Sequence, residues 1–232
     1  MVDFIERNVR DVSEKITRIA KDCGRDRNEI KLMGVSKFHP LEMMTEASRW
    51  VDLLGENRVQ EASEKRAGWS VGNKTPWHLI GHLQKNKARK ALETFDLIES
   101  VDSFELAQTL DRILEETGRE SFPVFIEVNM SGETSKNGVA PESVPGFFEN
   151  VLAQCPRLSV EGLMTLGPLT EDERSIRAAF SGLRDICVAM RAEFGLPLPE
   201  LSMGMSGDFA IAIQEGSTIV RIGTAIFGPR NL

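Results

Sequence analysis

Lys31-Leu-Met-Gly-Val-Ser-Lys37 is a short apolar run that ends in a hydroxyl and an amine, and a longer amphipathic stretch follows it. It is too short for a helix and reads as a buried strand feeding a loop. The same pattern recurs at Val51–Asn57, Trp77–His82, Leu97–Asp102, Pro123–Asn129, Val160–Thr165, Glu200–Met205 and Ile219–Thr224. Helix-start signals come after several of these runs: Ser103-Phe-Glu, Pro141-Glu and Thr170-Glu-Asp-Glu. Eight such units, without a Gly/Ser/Pro-rich linker between them, predict an α/β fold: a single (β/α)8 TIM barrel spanning residues 1–232 as one domain. The alternative, an open doubly wound sheet, usually carries a Gly-rich first turn, and the sequence has no GxGxxG motif. Ahead of the first strand, Ile5, Val9, Val12, Ile16 and Ile19 recur at three- and four-residue spacing, with Cys23-Gly24 as a stop. This predicts an extra N-terminal helix packed outside the barrel.

The 232 residues are 41% hydrophobic and 27% charged, enough for a sizeable core. A net charge of −7 argues against a nucleic-acid partner or an anionic membrane surface, both of which need a basic face. A local pocket for a small anion remains open. Cys23, Cys155 and Cys187 form no CxxC pair, so neither a disulfide framework nor a zinc site is expected, and a reducing cytoplasm fits best. Met1-Val-Asp-Phe-Ile-Glu-Arg7 has no apolar signal region, and no run approaches the ~20 apolar residues of a membrane span. The chain is expected to be neither exported nor inserted.

Barrel chemistry sits at the C-terminal ends of the strands. Lys37 ends the first strand there, and by strand alternation its stem points into the barrel mouth with Met33 and Val35. Partial desolvation disfavours the ammonium form, which suits an amine that must attack an aldehyde. A solitary strand-end lysine would simply reach for water. Here the last two loops, Ser202-Met-Gly-Met-Ser-Gly-Asp208 and Arg221-Ile-Gly-Thr-Ala-Ile-Phe-Gly228, offer hydroxyls and glycine-exposed N–H groups, at Gly207 and Gly223, to a phosphate. Arg221 lies within the apolar run Ile219-Val-Arg-Ile, where an unpaired charge is costly. Its partner is either a structural salt bridge or a ligand. Amine, phosphate cradle and interior cation together suggest a phosphorylated carbonyl compound or pyridoxal phosphate.

His78 and His82 have a helical zinc spacing, but on a strand they stand roughly 13 Å apart and share no metal. His39, beside the lysine, is a loop residue or a hydrogen-bond partner. Lys85, Lys87, Arg89 and Lys90 read as a solvated face.

On these residues the chain resembles the pyridoxal phosphate homeostasis proteins, the YggS/PROSC family. The resemblance runs through Gly34-Val-Ser-Lys37, Gly55-Glu-Asn-Arg-Val-Gln-Glu61, Trp77-His-Leu-Ile-Gly-His-Leu-Gln84, Ser100-Val-Asp102, Val128-Asn-Met-Ser-Gly-Glu133, Gly162-Leu-Met-Thr165, Leu201-Ser-Met-Gly-Met-Ser206 and Arg221-Ile-Gly-Thr-Ala-Ile-Phe-Gly228. It implies an alanine-racemase N-terminal-domain-like barrel, standing without the racemases' β domain. The cofactor implied is pyridoxal 5′-phosphate, held as a Schiff base on Lys37, with a role in buffering and delivering it. By the same resemblance Ser206, Gly223 and Thr224 meet the phosphate, Arg221 the pyridine nitrogen, Asn57 and Met203 the surroundings of the ring, and Asn129 is a further candidate. Apo-enzymes that need the cofactor would be the recipients, and the missing β domain favours a monomer.

Two other functions compete: an amino-acid racemase or decarboxylase, and a lysine-dependent aldolase with no cofactor. Racemisation of the alanine-racemase type returns a proton from a tyrosine, and the chain has no tyrosine. Cys155 and Cys187 fall in predicted helices and Cys23 precedes the first strand, so no thiol is expected at the mouth.

Overall fold

The computed structural model describes residues 3–69, 74–133 and 136–229. Met1, Val2 and residues 230–232 of the expected 1–232 domain lie outside the described residues. Helix α1 (Asp3–Asp22) is followed by β1 (Lys31–Val35), α2 (Leu41–Ala47), β2 (Leu53–Glu56), α3 (Val59–Ala67), β3 (Trp77–Leu79), α4 (Ala88–Thr94), β4 (Leu97–Val101) and α5 (Phe104–Glu116). Then come β5 (Phe122–Glu127), α6 (Val144–Gln154), β6 (Leu158–Met164), α7 (Glu173–Phe194), β7 (Glu200–Met205), α8 (Phe209–Gln214), β8 (Ile219–Ile222) and α9 (Thr224–Phe227). The eight strands form a closed barrel in sequence order. Closure is made by parallel pairing of β1 with β8, Lys31 opposite Ile219 and Met33 opposite Arg221.

Two apolar layers follow from strand alternation. Met33, Val35, Leu53, Leu97, Phe125, Met164 and Ile219 make a cluster of their own inside the barrel. The opposite faces, such as Leu32, Leu54, Val124, Leu163 and Val220, join the larger core beneath the helices. That core includes Ile5, Val9, Val12, Ile16 and Ala20 of α1. The stripe thus ends on Ala20, and Ile19 is only partly buried. Helix α1 packs on α2, α8 and α9, and Asn8 Nδ2 donates to Ile226 O at 2.9 Å. Gly24, at φ 73°, lets the chain turn away after the helix.

Only Glu200–Met205 has the limits the sequence suggests; most of the other strands stop one to three residues early at the C-terminal end. The reason is local: past the ladder the backbone leaves extended geometry, as at Phe38 with φ 66°. The third strand is shortest, so His82 lies in a loop and not in β3. The start of α7 also differs from the Thr170 signal. Asp172 is the residue that caps it, accepting from Arg174 N at 3.3 Å and Ser175 N at 3.2 Å, while Thr170 Oγ1 accepts from Asp172 N. Among the described residues no helix is long and apolar enough to cross a membrane.

Candidate cofactor site

A cavity of about 420 Å³ opens at the C-terminal ends of the strands, within the range of small-molecule sites. Lys37, Asn57, Ser206, Gly207, Arg221, Gly223 and Thr224 all line it, together with Val35, Glu127, His82 and Asn137. The ends of seven of the eight strands, from Val35 to Thr224 in sequence, are thereby brought to one space.

Lys37 stands two residues beyond β1 and is half-buried. Its loop is clamped from below. Ser36 Oγ donates to Glu56 Oε1 at 2.8 Å. Lys65 Nζ donates to Ser36 O at 3.0 Å, to Glu56 Oε1 at 2.7 Å and to Glu61 Oε1 at 2.8 Å. Glu61 Oε1 also accepts from Phe38 N at 2.7 Å, and the Arg58 guanidinium lies 4.8 Å from the Phe38 ring centre. Burial pushes the Glu56 carboxyl above the ordinary carboxylate range, against the opposing pull of Lys65 and Ser36. Anchors on Ser36 and Phe38, the two residues that flank Lys37, therefore fix where the lysine leaves the barrel wall.

Arg221 is buried, at 2% exposure. Its Nη1 donates to Ser202 O at 2.8 Å and Ser202 Oγ at 2.7 Å, and its Nη2 donates to Thr165 O at 2.6 Å. Ser202 Oγ in turn donates to Glu99 Oε2 at 2.5 Å, and Glu99 Oε1 bonds His78 Nδ1 at 2.7 Å. Burial draws the guanidinium below its ordinary range, while Glu99, Asp208 and Glu127 hold it up. Of the alternatives left by the sequence, a structural partner is present, since Glu99 lies 3.9 Å away; the same guanidinium also lines the cavity.

The two C-terminal turns form the opposite part of the wall. A Cβ added at Gly207 would meet no protein atom within 4 Å, and one at Gly223 only Val35, whose backbone oxygen is the nearest atom at 3.4 Å. The space over Gly207 is therefore open and that over Gly223 is bounded by Val35, beside the Ser206 and Thr224 hydroxyls. Because α8 and α9 have only six and four residues, the cradle rests on hydroxyls and turn N–H groups more than on helix dipoles.

Several expectations are corrected. Met203 lies in the core beneath the helices, not on the cavity. The physical reason is alternation: Ser202 points inward to Arg221 and Glu99, so its neighbour points outward. The Ser202 hydroxyl is itself committed in β7 and is not part of the cradle. Asn129 braces the loop after β5, donating to Glu133 O at 2.9 Å and Lys136 O at 3.1 Å. Lys136 is held by Glu133 Oε1 at 2.6 Å and Gly167 O at 3.3 Å. His39 stacks on Phe227, ring centres 5.0 Å apart. His82 Nδ1 bonds Asp102 Oδ2 at 2.8 Å, a different carboxylate from that of His78. Cys155 ends α6 rather than lying within it; burial pushes its thiol up to about 11. None of the three cysteines lines the cavity.

Glu56, Glu99 and Glu127 are the residues that sequence reasoning missed. Glu99 interrupts an apolar strand, the same signal that singled out Arg221, while Glu56 and Glu127 end theirs.

As a group, the donor set suits a phosphorylated pyridoxal: one amine, two hydroxyls over glycine turns, and a fixed interior cation. Asn57 adds a buried Oδ1 without a hydrogen-bond partner among the described residues.

Residues 7–231 match the family described as alanine racemase, N-terminal domain. The chain is 40% identical to a pyridoxal phosphate homeostasis protein of Aquifex aeolicus over 94% of this chain and 95% of that one. It is 36% identical to the Homo sapiens protein of the same name, over 96% and 86%. The solved structure of PipY from Synechococcus elongatus with PLP bound superposes at a TM-score of 0.79 with 38% identity, covering 92% of this chain and 99% of that one. An alanine racemase from Corynebacterium glutamicum shares the fold, with a TM-score of 0.76 at 22% identity over 98% of this chain and 62% of the racemase. Matched nearly end to end by relatives of this name, the chain belongs to the pyridoxal phosphate homeostasis protein family.

Proposed function

We propose that this chain binds pyridoxal 5′-phosphate as a Schiff base on Lys37, holds it in the cytoplasm as a monomer, and releases it to apo-enzymes. The observation that carries the reading is the convergence of the Lys37 amine, the Ser206 and Thr224 hydroxyls and the buried Arg221 on one cavity. The relatives named for pyridoxal phosphate homeostasis and the PLP-bound structure of PipY support it. When bound, the cofactor supplies an aldehyde that condenses with a primary amine and a ring that withdraws electrons.

The residues of this chain do the rest. Ser206 and Thr224, with the N–H groups of Gly207 and Gly223, would take the phosphate and so bring the aldehyde end towards Lys37. The clamp from Glu56, Glu61 and Lys65 keeps the amine at one point of the wall. Arg221 would face the ring nitrogen. A guanidinium stays charged, and a fixed cation disfavours a second proton beside it. Enzymes that use this cofactor as a strong electron sink usually place a carboxylate there instead. Holding without fast turnover follows.

The test is an absorbance spectrum of the purified, cofactor-loaded protein, followed by borohydride reduction and peptide mapping. Label on Lys37, its loss in Lys37→Ala, and transfer of cofactor to an apo-enzyme are the expected results. Label retained at the cavity in Lys37→Ala would refute the assignment. Lys37-dependent racemisation near the ~10 s⁻¹ typical of enzymes would refute the holding role.

A further inference from the structure

Glu127 stands on the cavity apart from both the Lys37 clamp and the phosphate cradle. It is the last residue of β5, is 5% exposed, and lines the cavity. In the closed order β5 lies four strands from β1 in both directions, so Glu127 and Lys37 enter from opposite walls.

The charged and titratable groups around it come from every side. Strand β4 brings Glu99 and, just beyond its end, Asp102. The loop after β3 brings His82, bonded to Asp102. Strand β8 brings Arg221 and the β1 loop brings Lys37, both on the same cavity. Strand β6 presents Leu166 without charge, and beyond β5 Glu133 and Lys136 pair with each other. Burial is the largest influence on the Glu127 carboxyl and pushes it up to about 7; Asp102 and Glu99 act in the same direction and Arg221 against them. Among the described residues no side-chain hydrogen bond contributes. The protein therefore does little to hold the ionised form, and the cavity opposite Lys37 presents a carboxyl with a free hand.

We propose that Glu127 is a proton-carrying binding residue: it takes a proton from solvent as an anionic pyridoxal-type phosphate enters the cavity, and returns it as the ligand leaves. This rests on the cofactor reading above. A phosphate brings about −1.5 to −2 charges at neutral pH. A like charge in an enclosed space disfavours the carboxylate. Linkage is reciprocal, so the proton on Glu127 strengthens the ligand by the same factor as the ligand strengthens the proton. The balance is one carboxylate, one proton from buffer and one ligand giving one neutral carboxyl with ligand bound. Neutral, the carboxyl is also an O–H donor to a ligand oxygen. The sign follows: below the Glu127 titration the ligand is held tightly, and above it the hold loosens.

The experiment uses the full chain and pyridoxine 5′-phosphate, which keeps ring and phosphate but carries an alcohol in place of the aldehyde, so Lys37 cannot bond to it covalently. Calorimetric titration in buffers of different ionisation enthalpy counts the protons exchanged. Wild type should take up more protons than Glu127→Gln, and its affinity should fall by up to about tenfold more than the variant's between pH 6 and 8. Titration of the ligand itself is common to both proteins and cancels. Infrared difference spectra of wild type provide a readout independent of the variant's folding: a protonated-carboxyl band should grow on binding. Equal proton uptake in both proteins, or no such band, overturns the proposal alone. Failure of the ligand to bind wild type overturns the cofactor reading, and the proposal falls with it.

Discussion

Lys65→Met tests the clamp beneath Lys37. The side chain is 9% exposed and its ammonium satisfies the carboxylate of Glu56, which is fully buried. Removing it deletes the bonds to Ser36 O, Glu56 Oε1 and Glu61 Oε1. Glu56 then keeps only the Ser36 hydroxyl, since its Oε2 has no partner among the described residues. Breaking a buried pair from one side costs about 3–5 kcal/mol. At about 2–4 °C per kcal/mol for a chain of this length, the melting temperature should fall by about 6–20 °C. A pH series fixes the cause. The folded Glu56 carboxyl already lies above its ordinary value of 4.5 because of burial. A group raised in this way gives its full stabilisation below the unfolded value and loses it as pH rises through the folded one. Without Lys65 the folded value rises further, so the deficit of the variant should shrink on acidification towards that ordinary range and widen towards neutral pH. Adding Glu56→Gln to Lys65→Met should recover most of the loss. Melting by circular dichroism decides it. A single variant within 2 °C of wild type, or a double variant no more stable than the single, would refute the reasoning.

Replacing Ser206 and Thr224 together with alanine removes two hydroxyl donors to a phosphate, each worth about 1.5–3 kcal/mol as a bond to a charged group. Affinity for pyridoxal phosphate, read by fluorescence titration, should fall at least tenfold, and an unchanged value would put the phosphate elsewhere. Gly162→Ala acts on the scaffold: its Cβ would stand 2.3 Å from Glu200 O, where β6 and β7 pair Gly162 with Glu200. The strands must part, at a cost of about 1–3 kcal/mol, and a urea midpoint equal to that of wild type would count against the close approach.

The barrel is legible because each strand is an apolar run of the right length and each connection carries a helical period. The pairing of β1 with β8, which closes it, involves residues 31 and 219 and follows only from counting the units. Lys37, Arg221 and the two glycine turns were legible because each breaks a local rule. Met203 departs from the place that the resemblance implies because Ser202 holds the inward position and alternation turns its neighbour outward. The glutamates were passed over for a different reason. A charge inside the strands Leu53–Glu56, Leu97–Val101 and Phe122–Glu127 demands a partner as firmly as Arg221 does, but the partners of Glu56 and Glu99 come from other strands and helices, and no spacing along the chain reveals them.

On the proposed reading, these glutamates also separate a holder from an enzyme. Racemisation needs a proton group on each face of the substrate, both charged and discharged in every turnover. Lys37 and Glu127 do stand on opposite walls, so the absence of tyrosine does not by itself leave one wall bare. Their surroundings differ, however. Lys37 lies in a loop pinned at Ser36 and Phe38, beside half-exposed backbone. Glu127 is buried near Asp102, Glu99 and Arg221, and among the described residues no side-chain hydrogen bond is among the influences on it. His82 is tied to Asp102 on the exposed rim. On this reading a carboxyl so placed exchanges its proton with solvent as the ligand enters and leaves, and not in step with repeated chemistry on a bound substrate.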